Sequence, residues 1–195
     1  MMKQNWLRIA TIIISISFFI VGCGGGSGCS LTEEPVVVDS EIQIDNNFFD
    51  ENTSTVVKDI VLEDNKTDTA IELSEGTVFV DEDDNPIEEA PIVKVKVETK
   101  ETDTTTELQM VSSDGEKVIP TEPVAVSIPA PEGAEPGDTV RVEVPDDAEV
   151  IDKIEKLILV VVGKDGKINI LIQPEVFRQQ TVIVIIVEAP DKSTN

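Results

Sequence analysis

The 195-residue sequence predicts an all-β fold, an antiparallel β-sandwich of about eight to ten strands behind a flexible N-terminal tether. Three observations lead there. From about Thr69 onward apolar and polar residues alternate with period two, the pattern of strands that bury one face. The alternating runs are separated by clusters of Asp, Asn, Gly and Pro, the residues that tight turns require. No segment sustains a helical period, and "DDAEVIDKIEKL" (146–157) offers at most a short helix. The expected domain spans 66–190, with 191–195 as a tail, and that length is enough for one core.

The chain begins with a different kind of element. Residues 1–8 carry Lys3 and Arg8 and no acid, and residues 9–21 (IATIIISISFFIV) are almost wholly apolar. That run falls short of the roughly 20 residues a membrane-spanning helix needs. A basic start, a short apolar run and a small residue at its end read as a secretory signal peptide over 1–22. The last four residues, Ile20-Val21-Gly22-Cys23, resemble the lipobox of bacterial lipoproteins. The resemblance implies diacylglyceryl transfer to the Cys23 thiol, cleavage after Gly22 and acylation of the new amino terminus. Stable anchoring needs more than one acyl chain, and the lipoprotein pattern supplies two or three, palmitate among them.

Cleavage there would start the mature chain at Cys23-Gly-Gly-Gly-Ser-Gly-Cys29. Glycine and serine make a flexible tether, expected over 23–65 together with the acidic stretch that follows. Residue 24 is Gly rather than Asp, which in a Gram-negative host implies export to the outer membrane. The implied location is the cell envelope, with the membrane as partner through the lipid anchor. Cys29 reads as an incidental residue of the tether, the alternative being an intermolecular disulfide or a reactive thiol. Short apolar islands interrupt 35–65, and the stretch Val56–Leu62 is expected to add one early strand.

The strands of the domain follow in order. In "IVKVKVE", Val93, Val95 and Val97 share one face, with Lys94, Lys96 and Glu98 on the other. Val124, Val126 and Ile128 alternate with Ala125 and Ser127, and Val140, Val142 and Val144 alternate with Thr139, Arg141 and Glu143. "LILVVV" (157–162) and "TVIVIIV" (181–187) are apolar on both faces and suit strands covered on both sides, central in a sheet or shielded at an edge. Turns are expected at 82–86, 113–116 and 131–138, and "GKDG" (163–166) reads as a short hairpin loop. "VSIPAPEGAEPGDTVRVEV" (126–144) resembles a strand-turn-strand stretch of Ig-like modules in bacterial surface proteins. "GTVFVDEDDNPI" (76–87) is similar to a turn of those modules and of ZU5-like domains, with Asn85 where Gly is commoner. These motifs imply an Ig-like sandwich and a surface location, and they carry no active site.

Composition narrows the function. Acidic residues number 39 against 15 basic ones, a net charge of −24, and loss of Lys3 and Arg8 with the signal peptide would make it −26. Such a surface repels phosphates, so nucleic acid is not an expected partner. The chain has no His and no Tyr, and its one Trp, Trp6, lies in the leader. Ser-His-Asp and Cys-His catalysis and a Zn site of the usual ligands are therefore out of reach.

Carboxylates are the remaining chemistry. Asp81, Asp83 and Asn85 match the first ligand positions of an EF-hand loop, but Pro86 and Ile92 stand where Gly and Glu are required. A looser Ca²⁺ site drawing on Asp81, Asp83 and Asp84, with Asp146 and Asp147, is the alternative to an exposed acidic turn. Glu88/Glu89 and Asp146/Asp147 are the pairs a carboxylate hydrolase would need, and a glycosidic mechanism requires them to face across a cleft. The expected function is a non-catalytic, lipid-anchored envelope protein displaying an acidic β-sandwich to an unidentified partner, with no cofactor. A Ca²⁺-dependent adhesion module and a hydrolase are the alternatives.

Overall fold

The computed structural model of the protein describes residues 35–100, 103–145 and 158–190. Fourteen strands and one short helix account for most of them. The strands are β1 (Val36–Gln43), β2 (Phe49–Asp50), β3 (Thr55–Val56), β4 (Ile60–Asp64), β5 (Thr69–Leu73), β6 (Phe79–Val80) and β7 (Ile92–Thr99). They continue with β8 (Asp103–Val111), β9 (Ile119–Pro120), β10 (Val124–Pro129), β11 (Thr139–Glu143), β12 (Ile158–Val161), β13 (Lys167–Ile172) and β14 (Ile183–Glu188). Helix α1 is Pro174–Gln179.

Two larger antiparallel sheets make the sandwich. One has six strands in the order β1-β7-β8-β14-β11-β12, the other four in the order β13-β10-β5-β4. The ribbons β2-β3 and β6-β9 have two strands each. The alternation read from the sequence sets the inner faces. Val93, Val95 and Val97 are buried on β7, Val124, Val126 and Ile128 on β10, and Val140 and Val142 on β11. They meet Leu108, Met110, Ile183, Ile185 and Val187 of the six-stranded sheet and Ile71, Leu73, Ile168 and Ile170 of the four-stranded one in a single apolar core. Non-directional burial of this area is the main stabilising term.

The domain starts earlier than expected. Residues 36–64, which composition assigns to the tether, form four strands, and β1 pairs with β7 over eight residues, Val36 opposite Thr99 to Gln43 opposite Ile92. Ile44, Phe49, Val56, Ile60 and Leu62 belong to the core. The expected boundary at 65/66 is thus corrected to the neighbourhood of Val36. The acidic residues of this stretch sit on outward positions, and their number obscures the alternation beneath.

Two other expectations are corrected. The run 157–162, apolar on both faces, predicts a strand central in a sheet or shielded at an edge; β12 is an edge strand, the last of the six-stranded sheet, but it is not shielded, with Leu159 69% and Val161 59% exposed. The turn at 163–166 closes locally, Gly163 N–H on Lys167 O and Gly166 N–H on Gly163 O. It is no hairpin, because β12 belongs to one sheet and β13 to the other. By contrast β14 lies between β8 and β11 and is paired on both sides, as its two apolar faces predict. Among the described residues the one helix follows β13, started by Pro174 at its first position and anchored by buried Phe177. It packs beside β9 and carries the chain from the four-stranded sheet to the six-stranded one. Its six residues are too few to show a period in the sequence. The short helix considered for 146–157 lies outside the described residues.

Candidate functional site

Three places on the domain collect polar or exposed groups that chemistry or binding would use. The first is the acidic turn after β6. Asp81 Oδ1 accepts the backbone N–H of Asp83 at 2.9 Å and of Asn85 at 2.8 Å, and Asn85 Nδ2 reaches Asp81 Oδ2 at 3.1 Å. These bonds, led by those from Asn85, hold the Asp81 carboxyl below its ordinary pKa. The turn closes with Asp81 N–H on Asn85 O at 2.9 Å. Asp84 takes a left-handed backbone, φ 64°, which Asp tolerates better than most residues.

The neighbouring carboxylates are also engaged. Arg178, in the last turn of α1, lies 2.7 Å from Asp84 Oδ1, and Lys117, at the foot of the β8–β9 turn, lies 3.4 Å from Glu82 Oε1. Lys117 Nζ also donates to the Arg178 carbonyl at 2.8 Å. The residues named for a looser Ca²⁺ site are therefore brought together only in part. Asp81 caps its own turn, and Asp84 already has a cation, supplied by α1. Among the described residues no group of three or more acids, Cys or His is arranged to hold a metal ion. Asp146 and Asp147 lie outside the described residues, as do Cys23 and Gly22. Glu88 and Glu89 sit exposed on the segment leading into β7.

The second place is a shallow depression of about 570 Å³, lined mainly from the outer face of β1, β7 and β8. Register builds it. Asp39 stands opposite Lys96 and Glu41 opposite Lys94 across β1–β7, and Lys96 stands opposite Glu107 across β7–β8. Lys94 Nζ is 3.3 Å from Glu41 Oε1, and Lys96 Nζ is 2.8 Å from Glu107 Oε1. The bond to Glu107 and its charge, reinforced by Asp39 and Glu98, raise the Lys96 pKa above its ordinary value. Lys96 is thereby fixed as a cation, which disfavours it as a nucleophile or base. Cross-strand opposite charges of this kind secure register. The alternation in the sequence places Lys94 and Lys96 on the solvent face, but their partners become visible only with the strand pairing.

The third place is the free margin of the six-stranded sheet at β12. Its residues Ile158–Val161 carry no charge, and Leu159 and Val161 are the most exposed large apolar residues of that half of the sheet. The sequence signal is present in "LILVVV" but points to a covered strand. Comparison of the chain with family models, with curated proteins and with solved structures finds no match.

Proposed function

We propose that the protein is a non-catalytic, lipid-anchored component of a bacterial cell envelope that presents its acidic β-sandwich as a structural or interaction module. The observation that carries this reading is the sequence Ile20-Val21-Gly22-Cys23 at the end of a short apolar run with a basic start. Acylation at Cys23 would leave residues 24–35 between the anchor and β1, which starts at Val36. In a Gram-negative host the membrane would be the outer one.

The absence of a catalytic role is supported by chemistry rather than by shape. The sequence has no His and no Tyr, Lys94 and Lys96 of the depression are bound to carboxylates, and Glu88 and Glu89 have no cleft between them. A surface at −24 disfavours anionic partners, which leaves protein or neutral envelope material as the class that could dock. The test is metabolic labelling with a clickable fatty acid, followed by detergent-phase partition. The parent chain should carry label and enter the detergent phase, and Cys23→Ser should do neither. Equal label on Cys23→Ser would sink the reading.

A further inference from the structure

Of the eight asparagines in the chain, Asn52 and Asn65 alone have a hydroxyl residue two positions on, in Asn52-Thr53-Ser54 and Asn65-Lys66-Thr67. Asn-x-Ser/Thr, with x other than Pro, is the acceptor pattern for N-linked glycan. In both places an acid stands two positions ahead, Asp50 and Glu63, so the triplets share the longer pattern acid-x-Asn-x-Ser/Thr. A carboxylate so near the acceptor amide is a charge that a transferase can pair with.

The fold sets the two asparagines alike. Asn52 lies in the turn that joins β2 to β3 and Asn65 in the turn that joins β4 to β5, and both are exposed. A bulky, solvated group is accommodated at such turns without disturbing the core. At Asn52 the side-chain Nδ2 and the backbone N–H both donate to Asp50 Oδ1, at 3.1 and 3.0 Å. A glycosylated amide keeps one N–H, so the side-chain bond survives modification.

The hydroxyls of the triplets are placed in the opposite way. Ser54 is 3% exposed, takes a left-handed backbone with φ 55°, and donates its hydroxyl to the Ile87 carbonyl. Thr67 is 4% exposed, and its Oγ1 donates to Asp64 Oδ2 at 2.6 Å. Each folded turn therefore presents the asparagine and withholds the hydroxyl that makes it an acceptor. That arrangement fixes an order of events: transfer has to come before the turn closes.

We propose that Asn52 and Asn65 are N-glycosylation sites, modified on the exported chain before the β2–β3 and β4–β5 turns close. The inference rests on the reading of residues 1–22 as a secretory leader, because it needs the chain to meet a transferase while still unfolded. The donor is an oligosaccharide linked through pyrophosphate to a polyprenyl lipid. Asn Nδ2 attacks the anomeric carbon of its first sugar, and the bond from that carbon to the pyrophosphate oxygen breaks. The polyprenyl pyrophosphate leaves with the electron pair, and a base of the transferase takes one Nδ2 proton. Nothing is oxidised or reduced. Folding then buries Ser54 and Thr67 and leaves the sugars on the two exposed tips.

Intact mass and peptide fragmentation of the full chain, isolated from the cells that make it, test this. The parent should carry sugar on both asparagines. Asn52→Gln and Asn65→Gln should each lose one of the two, and the double variant should lose both. Thr67→Val should lose the sugar of Asn65 and keep that of Asn52, an internal sign that the variant still met the transferase. A second version, with residues 1–22 replaced by a standard secretory leader, separates the sites from the native leader. Sugar on that version alone supports the sites while refuting export by residues 1–22. Sugar on neither version overturns the proposal, as does sugar carried on hydroxyl residues in place of Asn52 and Asn65. A peptide of residues 60–70 should accept sugar from membranes of the same cells, whereas the folded chain lacking residues 1–22 should not. Equal acceptance by the two overturns the order of events.

Discussion

Arg178 Nη1 lies 2.7 Å from Asp84 Oδ1, joining helix α1 to a turn nearly a hundred residues earlier in the chain. Lys117 bridges the same two elements, with Nζ 2.8 Å from the Arg178 carbonyl and 3.4 Å from Glu82 Oε1. The acidic turn is therefore clamped by the protein's own cations.

The two clamps differ in weight. Arg178 and Asp84 are 43% and 67% exposed at their side chains, and exposed pairs contribute about 0–1 kcal/mol. Lys117 is only 11% exposed, so its stem is packed and its ammonium replaces water at a carbonyl that ends a helix. Urea denaturation should show Lys117→Ala destabilising by about 1–2 kcal/mol and Arg178→Gln by at most about 1 kcal/mol. The reverse order would show that the packing of Lys117 is not what matters.

Calcium should have little effect on the same turn. To bind Asp84 it must displace Arg178, and to bind Asp81 it must compete with the N–H groups of Asp83 and Asn85. Adding millimolar Ca²⁺ is expected to leave Tm unchanged. A rise in Tm that a chelator reverses would make the turn a metal site.

Asp64 makes stability depend on pH at the acidic end. Partial burial pushes its pKa up, but hydrogen bonds from Thr67 Oγ1, Lys66 N–H, Ser40 and Thr67 N–H outweigh it and hold the pKa below its ordinary 3.8. A carboxyl with a depressed folded pKa contributes stability that is complete above the unfolded value and vanishes as pH falls through the folded value. Asp64→Asn should therefore be less stable than the parent at neutral pH, with the gap closing below about pH 4. A gap that stays constant to pH 2 would refute the role given to these bonds.

Where the domain begins is the least legible part of the sequence. The strands after Thr69 can be read because Val93, Val95 and Val97 alternate with charged residues, and burial follows that alternation closely. Residues 36–64 obey the same rule at Ile60 and Leu62, but Phe49 and Val56 stand in the apolar pairs Phe48-Phe49 and Val56-Val57, which show no period. Their place is set by partners far along the chain, such as Phe79, whose ring stacks tilted against Phe49 at 6.2 Å. Long-range pairing also decides the site. Lys96 is visible as a solvent-face residue, whereas its bond to Glu107 depends on the β7–β8 register. For β12, apolar composition on both faces suggests cover, and only the strand order exposes the margin.

A truncation makes that correction measurable. A chain starting at residue 66 would lose Ile44, Phe49, Val56, Ile60 and Leu62 from the core. At about 1.5–3 kcal/mol for each buried side chain, the loss is comparable to the entire net stability of a domain, about 5–15 kcal/mol. Residues 66–195 should show no cooperative thermal transition, whereas 35–195 should unfold cooperatively. A cooperative transition in the shorter chain would restore the later boundary.

The interior of β8 offers a substitution expected to raise stability. Thr104 and Thr106 are buried at 1% and 0% exposure, and the Oγ1 atom of each lacks a hydrogen-bond partner. Thr106 stands opposite Val97 on β7 and Ile185 on β14, both buried apolar residues. An unmade hydrogen bond in such a place costs about 1–3 kcal/mol of desolvation, and a methyl group in place of the hydroxyl removes that cost with little change of shape. Valine also suits a strand position at least as well as threonine. Thr106→Val should therefore stabilise the protein by about 1 kcal/mol in urea denaturation, with an unchanged m-value. Destabilisation of similar size would mean that the hydroxyl has a partner, such as a buried water, and that this end of the core is wetter than its apolar neighbours suggest.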